Sequence, residues 1–155
     1  MILYLDSSAL VKRYVAELGS SVVSEAISQA AIIATGLISR AEVAAALAKA
    51  MHVGTLTKEE AQESLQTFRS DWPDLMRVRV TEAVVARADA LAWEWGLRGY
   101  DAVQLAAAIH WQEALGETVT LATFDRQLWA VAEQMGLIPY PPNLPMLLEE
   151  WKGHQ

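Results

Sequence analysis

The sequence predicts an α/β fold of three layers, in which helices cover both faces of a mostly parallel sheet. Two observations support this prediction. Short apolar runs alternate with longer segments of helical character along most of the chain, and glycines, prolines and serines separate these segments. The chain has no internal repeat, low-complexity segment or linker, and 155 residues suit one domain with one core. We therefore expect a single domain over residues 1–155.

The first half of the chain predicts two strands and three helices. Strands are expected at residues 2–5 and 31–35, and helices at 9–14, 22–30 and 39–53. Gly19 and Gly54 stop two of these segments. This order of strands and helices is typical of a parallel sheet whose connections cross over through helices.

The second half continues the alternation. Helices are expected at residues 57–69, 81–95, 97–115 and 125–135, and strands at 76–80, 119–122 and, more briefly, 137–138. A turn is expected at Trp72-Pro73. Residues 139–155 contain four of the five prolines and read as a proline-rich tail.

The composition excludes several classes of protein. A hydrophobic fraction of 53% with 20% charged residues excludes a disordered chain, and the absence of cysteine excludes disulfides, thiolate metal sites and cysteine nucleophiles. The apolar start of the chain stops at Asp6 and no basic region precedes it, so we expect no signal peptide. No apolar stretch is long enough to span a bilayer. We therefore expect a cytoplasmic protein without membrane contacts.

The charge balance limits how this protein could bind nucleic acid. Twelve Lys and Arg residues stand against 19 Asp and Glu residues, which gives a net charge of −7. This excess of acid argues against a surface that binds nucleic acid throughout. It leaves open a local basic rim, or a metal ion that turns an acidic pocket into a phosphate-binding one.

Acidic residues follow several of the predicted strands. Asp6, Glu42 and Asp125 should lie at one edge of the sheet, because the carboxyl ends of parallel strands share an edge and ligands bind there. The element that precedes Asp101 is the helix at 81–95 and not a strand, so topology alone does not bring Asp101 to that edge. Each acid also has a purely structural interpretation: Ser39 and Glu42 have the spacing of a capping box, and the three aspartates are common residues at helix starts.

Four segments resemble the acidic motifs of PIN domains, VapC-type toxins in particular. Residues 4–12 (YLDSSALVK) are similar to the opening motif, 39–42 (SRAE) to the second, 98–106 (RGYDAVQLA) to the third and 121–128 (LATFDRQL) to the fourth. The motifs occur in the family's order between Met1 and about Pro139, and no acidic position is missing.

The resemblance implies a metal-dependent endoribonuclease that is the toxin of a type II toxin–antitoxin pair. Its site would comprise Asp6, Glu42, Asp101 and Asp125 around Mg²⁺ or Mn²⁺, with Asp6 and Asp101 as the leading ligands. Ser8 and Thr123 would orient carboxylates or waters. The expected partners are RNA, an antitoxin and a second copy of the chain. The alternative is a protein of this fold that acts through interactions and has no significant nuclease activity.

Other residues carry weaker functional hypotheses. Cations near the motifs could bind substrate phosphates or could simply be solvated; these are Arg126 and Lys12 first, then Arg13, Arg40 and Arg98. Six tryptophans could stack on bases, although core packing is the favoured interpretation. A partner groove or plain core could be formed by Leu47, Leu56, Leu65 and Phe68.

Overall fold

The computed structural model describes residues 1–153 and contains a five-stranded parallel sheet, which confirms the predicted α/β fold. The strand order is β3-β2-β1-β4-β5. The strands are β1 Ile2–Leu5, β2 Ile32–Gly36, β3 Met76–Val78, β4 Thr120–Ala122 and β5 Ile138–Tyr140. The ends of β1 are as predicted, and those of the other strands differ from the prediction by at most two residues.

Eight α-helices surround the sheet in the described residues. They are α1 Ser7–Leu10, α2 Ser20–Gln29, α3 Ser39–His52, α4 Lys58–Asp71, α5 Glu82–Trp95, α6 Gly99–Leu115, α7 Arg126–Gln134 and α8 Leu144–Lys152. Short 3₁₀ turns occupy Val11–Arg13 and Trp72–Asp74. Helix α8 lies within the segment read as a proline-rich tail, whose last residues, His154 and Gln155, lie outside the described part of the chain. None of the helices in residues 1–153 is both long and apolar enough to cross a membrane.

Side chains of the central strand alternate between two cores. Leu3 and Leu5 pack on the face covered by α1–α4, and Tyr4 packs on the face covered by α5–α7. Leu47 and Phe68 are buried in the first core, whereas Leu56 and Leu65 are only partly buried against it. The tryptophans divide likewise: Trp72 and Trp111 are core residues, and Trp93 is 91% exposed.

The topological switch point of the sheet lies between the parallel strands β1 and β4. From β1 the chain proceeds to β2 and β3 on one side, then returns to add β4 and β5 on the other side. The crevice beyond the carboxyl ends of strands at such a switch point is where ligands bind in open α/β sheets. The turns after β1 and β4 meet there, since the Asp6 backbone N–H donates to the Ala122 carbonyl.

Helix α6 packs closely on this centre. Its buried face contains Ala102 and Ala106, and small side chains allow a near approach to the sheet. The Tyr4 hydroxyl on β1 reaches the Gln104 side chain on α6 at 2.6 Å. The first turn of α6, with Asp101, is thereby carried to the edge that holds Asp6.

Candidate functional site

A cavity of about 370 Å³ at this edge gathers the four predicted carboxylates. Its walls come from the turn after β1, from α3, from the start of α6 and from the turn after β4. The lining residues are Asp6, Ser7, Ser8, Glu42, Arg98, Tyr100, Asp101, Phe124 and Asp125. The prediction that these acids lie together therefore agrees with the geometry, and their binding of a metal stays a prediction.

Asp6 is buried and is held on both carboxylate oxygens. Its Oδ1 accepts hydrogen bonds from the Ala9 backbone N–H at 2.9 Å and from the Ser8 hydroxyl at 2.7 Å, and its Oδ2 accepts one from Thr123 at 2.5 Å. Burial raises the pKa of Asp6 to about 6, the charge of Asp101 adds to the rise, and the three hydrogen bonds oppose it. Asp6 thus caps α1 and also faces the cavity.

Ser8 and Thr123 join the two turns on either side of the switch point. The Ser8 hydroxyl accepts from the Phe124 N–H at 3.0 Å, and the Thr123 hydroxyl accepts from the Asp125 N–H at 3.1 Å. Both hydroxyls also donate to Asp6. Both hydroxyls thus contact the Asp6 carboxylate, and their role in orienting the site stays a prediction.

The capping interpretation of Ser39 and Glu42 is wrong. Ser39 is buried and its hydroxyl lies 2.7 Å from that of Thr35. The Gln104 amide donates to Ser39 at 3.0 Å and to Glu42 Oε1 at 2.8 Å. Both side chains are thus turned toward α6, away from the free amides of their own helix, whose first turn has no side-chain cap among the described residues.

Gln104 is the supporting residue that the sequence analysis missed. It is 1% exposed, and it accepts from the buried Tyr4 hydroxyl while it donates to Glu42. The available signal was an amide within an apolar helix face, three residues after Asp101 and therefore on the same side of α6. Gly36 leaves room for this network, since a Cβ there would lie 2.5 Å from the Tyr4 hydroxyl.

Arg98 joins the other two carboxylates. Its Nε donates to Asp101 Oδ2 at 3.0 Å and its Nη2 donates to Asp125 Oδ2 at 2.8 Å. Asp125 also caps α7 by accepting from the Leu128 N–H. Burial raises the pKa of Asp101, the charge of Asp125 adds to the rise, and Arg98 opposes it. Arg98 is thus engaged with the acids that sequence analysis placed in the site.

The other predicted phosphate contacts lie outside the cavity wall. Lys12 bonds Glu17 at 3.1 Å and sits 4.7 Å from the centre of the Phe124 ring. Arg126 follows Asp125 directly, is exposed, and has no ion-pair partner in residues 1–153. Arg13 lines a separate depression beside α4. None of these three cations lines the carboxylate cavity.

The donor chemistry of the cavity suits a hard cation. Within residues 1–153, no three acidic or histidine side chains are already arranged around a metal position. The donors are all oxygens, as Mg²⁺ and Mn²⁺ prefer, and Asp6 uses three of about four lone-pair positions. Glu42 Oε2 and Asp101 Oδ1 accept no hydrogen bond within the described chain. The residues therefore fit such an ion, and Arg98 adds one positive charge beside Asp101 and Asp125.

Comparison with known proteins identifies the family. The PIN domain family model matches residues 3–134. Ribonuclease VapC45 of Mycobacterium tuberculosis is 33% identical over 144 residues, which cover 92% of this chain and 97% of that protein.

Solved structures agree on the fold. The PAE2754 crystal structure from Pyrobaculum aerophilum matches with a TM-score of 0.62 at 22% identity and covers 96% of this chain and 90% of that one. A toxin–antitoxin complex from Klebsiella pneumoniae matches with a TM-score of 0.57 at 18% identity, over 84% and 91% of the two chains. From the family match and the extent of the VapC45 similarity, we conclude that this chain belongs to the PIN domain family and is a VapC-type member of it.

Proposed function

We propose that this chain is a metal-dependent endoribonuclease that hydrolyses RNA phosphodiester bonds. The observation that carries the proposal is the convergence of four carboxylates from separate elements in one cavity at the topological switch point. The ribonuclease name of the VapC45 relative supports RNA as the substrate.

Mg²⁺ or Mn²⁺ would be held directly by Asp6 and Asp101, with Glu42 and Asp125 completing the shell, partly through water. When bound, the ion supplies Lewis-acid activation of water and of the phosphodiester. The contribution of the chain is to hold its donors in place beforehand: Ser8 and Thr123 fix the orientation of Asp6.

Arg98 would change partners when a cation binds. Its side chain is 77% exposed, so it can leave Asp101 and Asp125 without disturbing the core. A guanidinium released at the rim of the cavity is well placed to bind a substrate phosphate, for which its planar fork is suited.

We also propose that the chain is the toxin of a type II toxin–antitoxin pair and acts in the cytoplasm as a homodimer. The fold shared with the toxin–antitoxin complex of Klebsiella pneumoniae and the VapC-type relationship support an antitoxin partner. A neighbouring small reading frame for a DNA-binding protein, co-purification of its product, and the mass of the isolated chain in solution test these points.

The nuclease is tested by cleavage of a broad RNA panel with the purified protein. We expect cleavage with Mg²⁺, none with EDTA, and a loss of about a thousandfold or more in Asp101→Asn, because that change removes a ligand and the charge it supplies. The matched control is Asp89→Asn, an exposed acid on α5, which should keep full activity.

Two results would contradict the proposal. Full activity in Asp101→Asn would remove the assigned site. Absence of wild-type cleavage across the panel, with Mg²⁺ binding demonstrated, would favour a protein that acts through interactions alone.

A further inference from the structure

Four arginines form an exposed group at the β3 edge of the sheet, outside the carboxylate cavity. They are Arg40 on α3, Arg69 on α4, Arg77 on β3 and Arg79 just after β3. They make up four of the 12 basic residues of a chain whose net charge is −7. A third of the basic residues of this acidic chain thus lie in one region of its surface.

These arginines line two adjoining depressions, which we call together the arginine channel. Arg40 and Arg69 border one of about 440 Å³ between α3 and α4, and Arg77 and Arg79 border one of about 670 Å³ beside β3. Leu37 lies in the wall of both, so the two depressions are neighbours. No acidic side chain of the described chain lines either depression.

The positive charge of the channel is not neutralised within residues 1–153. None of the four guanidinium groups takes part in a salt bridge there, whereas Arg87 and Arg98 both do. Arg77 lies 5.6 Å from the centre of the Trp72 ring, a cation–π contact that orients the side chain without cancelling its charge. The channel is therefore a ready surface for a polyanion.

The channel begins close to the carboxylate cavity. Arg40 and Glu42 share the first turn of α3, and two residues along a helix point to opposite sides of it. Glu42 faces the cavity and Arg40 faces the channel, so about one helix diameter, roughly 10 Å, separates the two. The Leu37 backbone N–H donates to the Val78 carbonyl at 2.9 Å and fixes the intervening loop on β3.

We propose that the arginine channel binds the backbone phosphates of single-stranded RNA on one side of the bond held in the carboxylate cavity. This inference rests on the proposed function. The four guanidinium groups, unpaired within the described chain, complement the charge of a phosphate backbone. Binding there explains how a chain of net charge −7 retains a polyanion next to an acidic site. Exposed Leu37 and Met76 between the guanidinium groups offer apolar surface to ribose or base.

The salt dependence of RNA binding tests the channel. Binding of a fluorescein-labelled, mixed-sequence single-stranded RNA is followed by fluorescence anisotropy in EDTA over a range of KCl concentrations. We expect Arg69→Gln with Arg79→Gln to weaken binding roughly tenfold near physiological salt and to lower the slope of log K against log salt by about 1.4, or about 0.7 per lost phosphate contact.

Two controls isolate the position of the charge. Lys49→Gln with Lys58→Gln removes the same charge from exposed sites elsewhere and should leave the slope unchanged. Arg69→Lys with Arg79→Lys keeps the charge and should retain most of the slope. If the Gln double variant fails to fold, the single variants Arg69→Gln and Arg79→Gln should each lower the slope by about half as much.

Three outcomes would overturn the channel: no RNA binding by the wild type, an unchanged slope in the Gln variants, or an equal fall of the slope in Lys49→Gln with Lys58→Gln. Failure of the nuclease proposal alone gives a different result. In that case no RNA is cleaved in Mg²⁺, yet the slope of log K against log salt measured in EDTA is still lower in the Gln variants than in the wild type.

Discussion

The two halves of the carboxylate cavity are held in different ways. Asp6 and Glu42 accept hydrogen bonds from neutral donors that are themselves tied into the fold. Asp101 and Asp125 share one exposed guanidinium, that of Arg98. The carboxylates of the first half are held in place by the fold, and the burial of Asp6 lowers the free energy of unfolding. The carboxylates of the second half are neutralised by the Arg98 side chain, which is exposed and can move away.

The energies of the two halves should differ accordingly. A rise in the pKa of Asp6 from 3.8 to about 6 corresponds to about 3 kcal/mol by which the fold disfavours the ionised carboxylate. An ion pair made by a side chain that is 77% exposed contributes about 1 kcal/mol or less, because water and salt screen it. Disturbing the first half should therefore change stability far more than disturbing the second.

Gln104→Leu should have the largest effect on stability. It leaves the buried Tyr4 hydroxyl and Glu42 Oε1 without a partner and removes one of the two hydrogen bonds of the Ser39 hydroxyl, which keeps its bond with Thr35. We expect a loss of about 2–4 kcal/mol in the free energy of unfolding. Urea denaturation measures it. Gln62→Leu, at an exposed position on α4, is the control and should change little. A loss below about 1 kcal/mol for Gln104→Leu would show that the network does not support the first half.

Asp6→Asn should stabilise the protein in EDTA at neutral pH. Since the folded pKa of Asp6 exceeds its unfolded one, the folded state binds this proton more tightly, and the contribution of Asp6 to stability falls as pH rises from about 4 to about 6. The neutral amide avoids this loss, so the variant should gain up to about 3 kcal/mol above pH 6 and nothing below about pH 4, less any weakening of the Thr123 contact.

Urea denaturation across this pH range measures the gain from Asp6→Asn. Asp89→Asn is the matched control and should give a difference that does not vary with pH in this way. A variant that is less stable than the wild type at every pH would show that the hydrogen bonds of Asp6 outweigh its desolvation.

Local sequence signals predicted most of the fold. The alternation of apolar runs and helical segments predicted the five strands and all helices but α8 in the described residues, although the helix expected at 9–14 is the α-helix Ser7–Leu10 followed by a 3₁₀ turn at Val11–Arg13. That helix was missed because prolines were read as breakers, whereas Pro145 lies in the first turn, where a missing N–H costs nothing.

The site was predictable only in part. The strand ends predict that Asp6, Glu42 and Asp125 share an edge, and all three line the cavity. The place of Asp101 came from the resemblance to PIN domains, since topology says nothing about an acid that follows a helix. The contact between Tyr4 and Gln104 spans 100 positions and exists only once α6 packs on β1. The wrong prediction of a capping box at Ser39 has the same cause. The Ser39 hydroxyl bonds Gln104 of the distant helix α6 and not a backbone N–H of its own helix.

Arg98→Ala should have the smallest effect on stability and still alter the exposed half of the site. We expect a change of about 1 kcal/mol or less in unfolding free energy, but roughly fivefold tighter Mn²⁺ binding in a metal titration, because no resident cation competes for Asp101 and Asp125. Arg126→Ala removes the same charge next to Asp125 without breaking a contact to either acid and should change Mn²⁺ affinity less. Equal gains in both variants would mean that the net charge around the cavity, and not the Arg98 contacts to Asp101 and Asp125, sets cation affinity. The contrast between a half held by the fold and a half held by an exposed side chain would then be wrong.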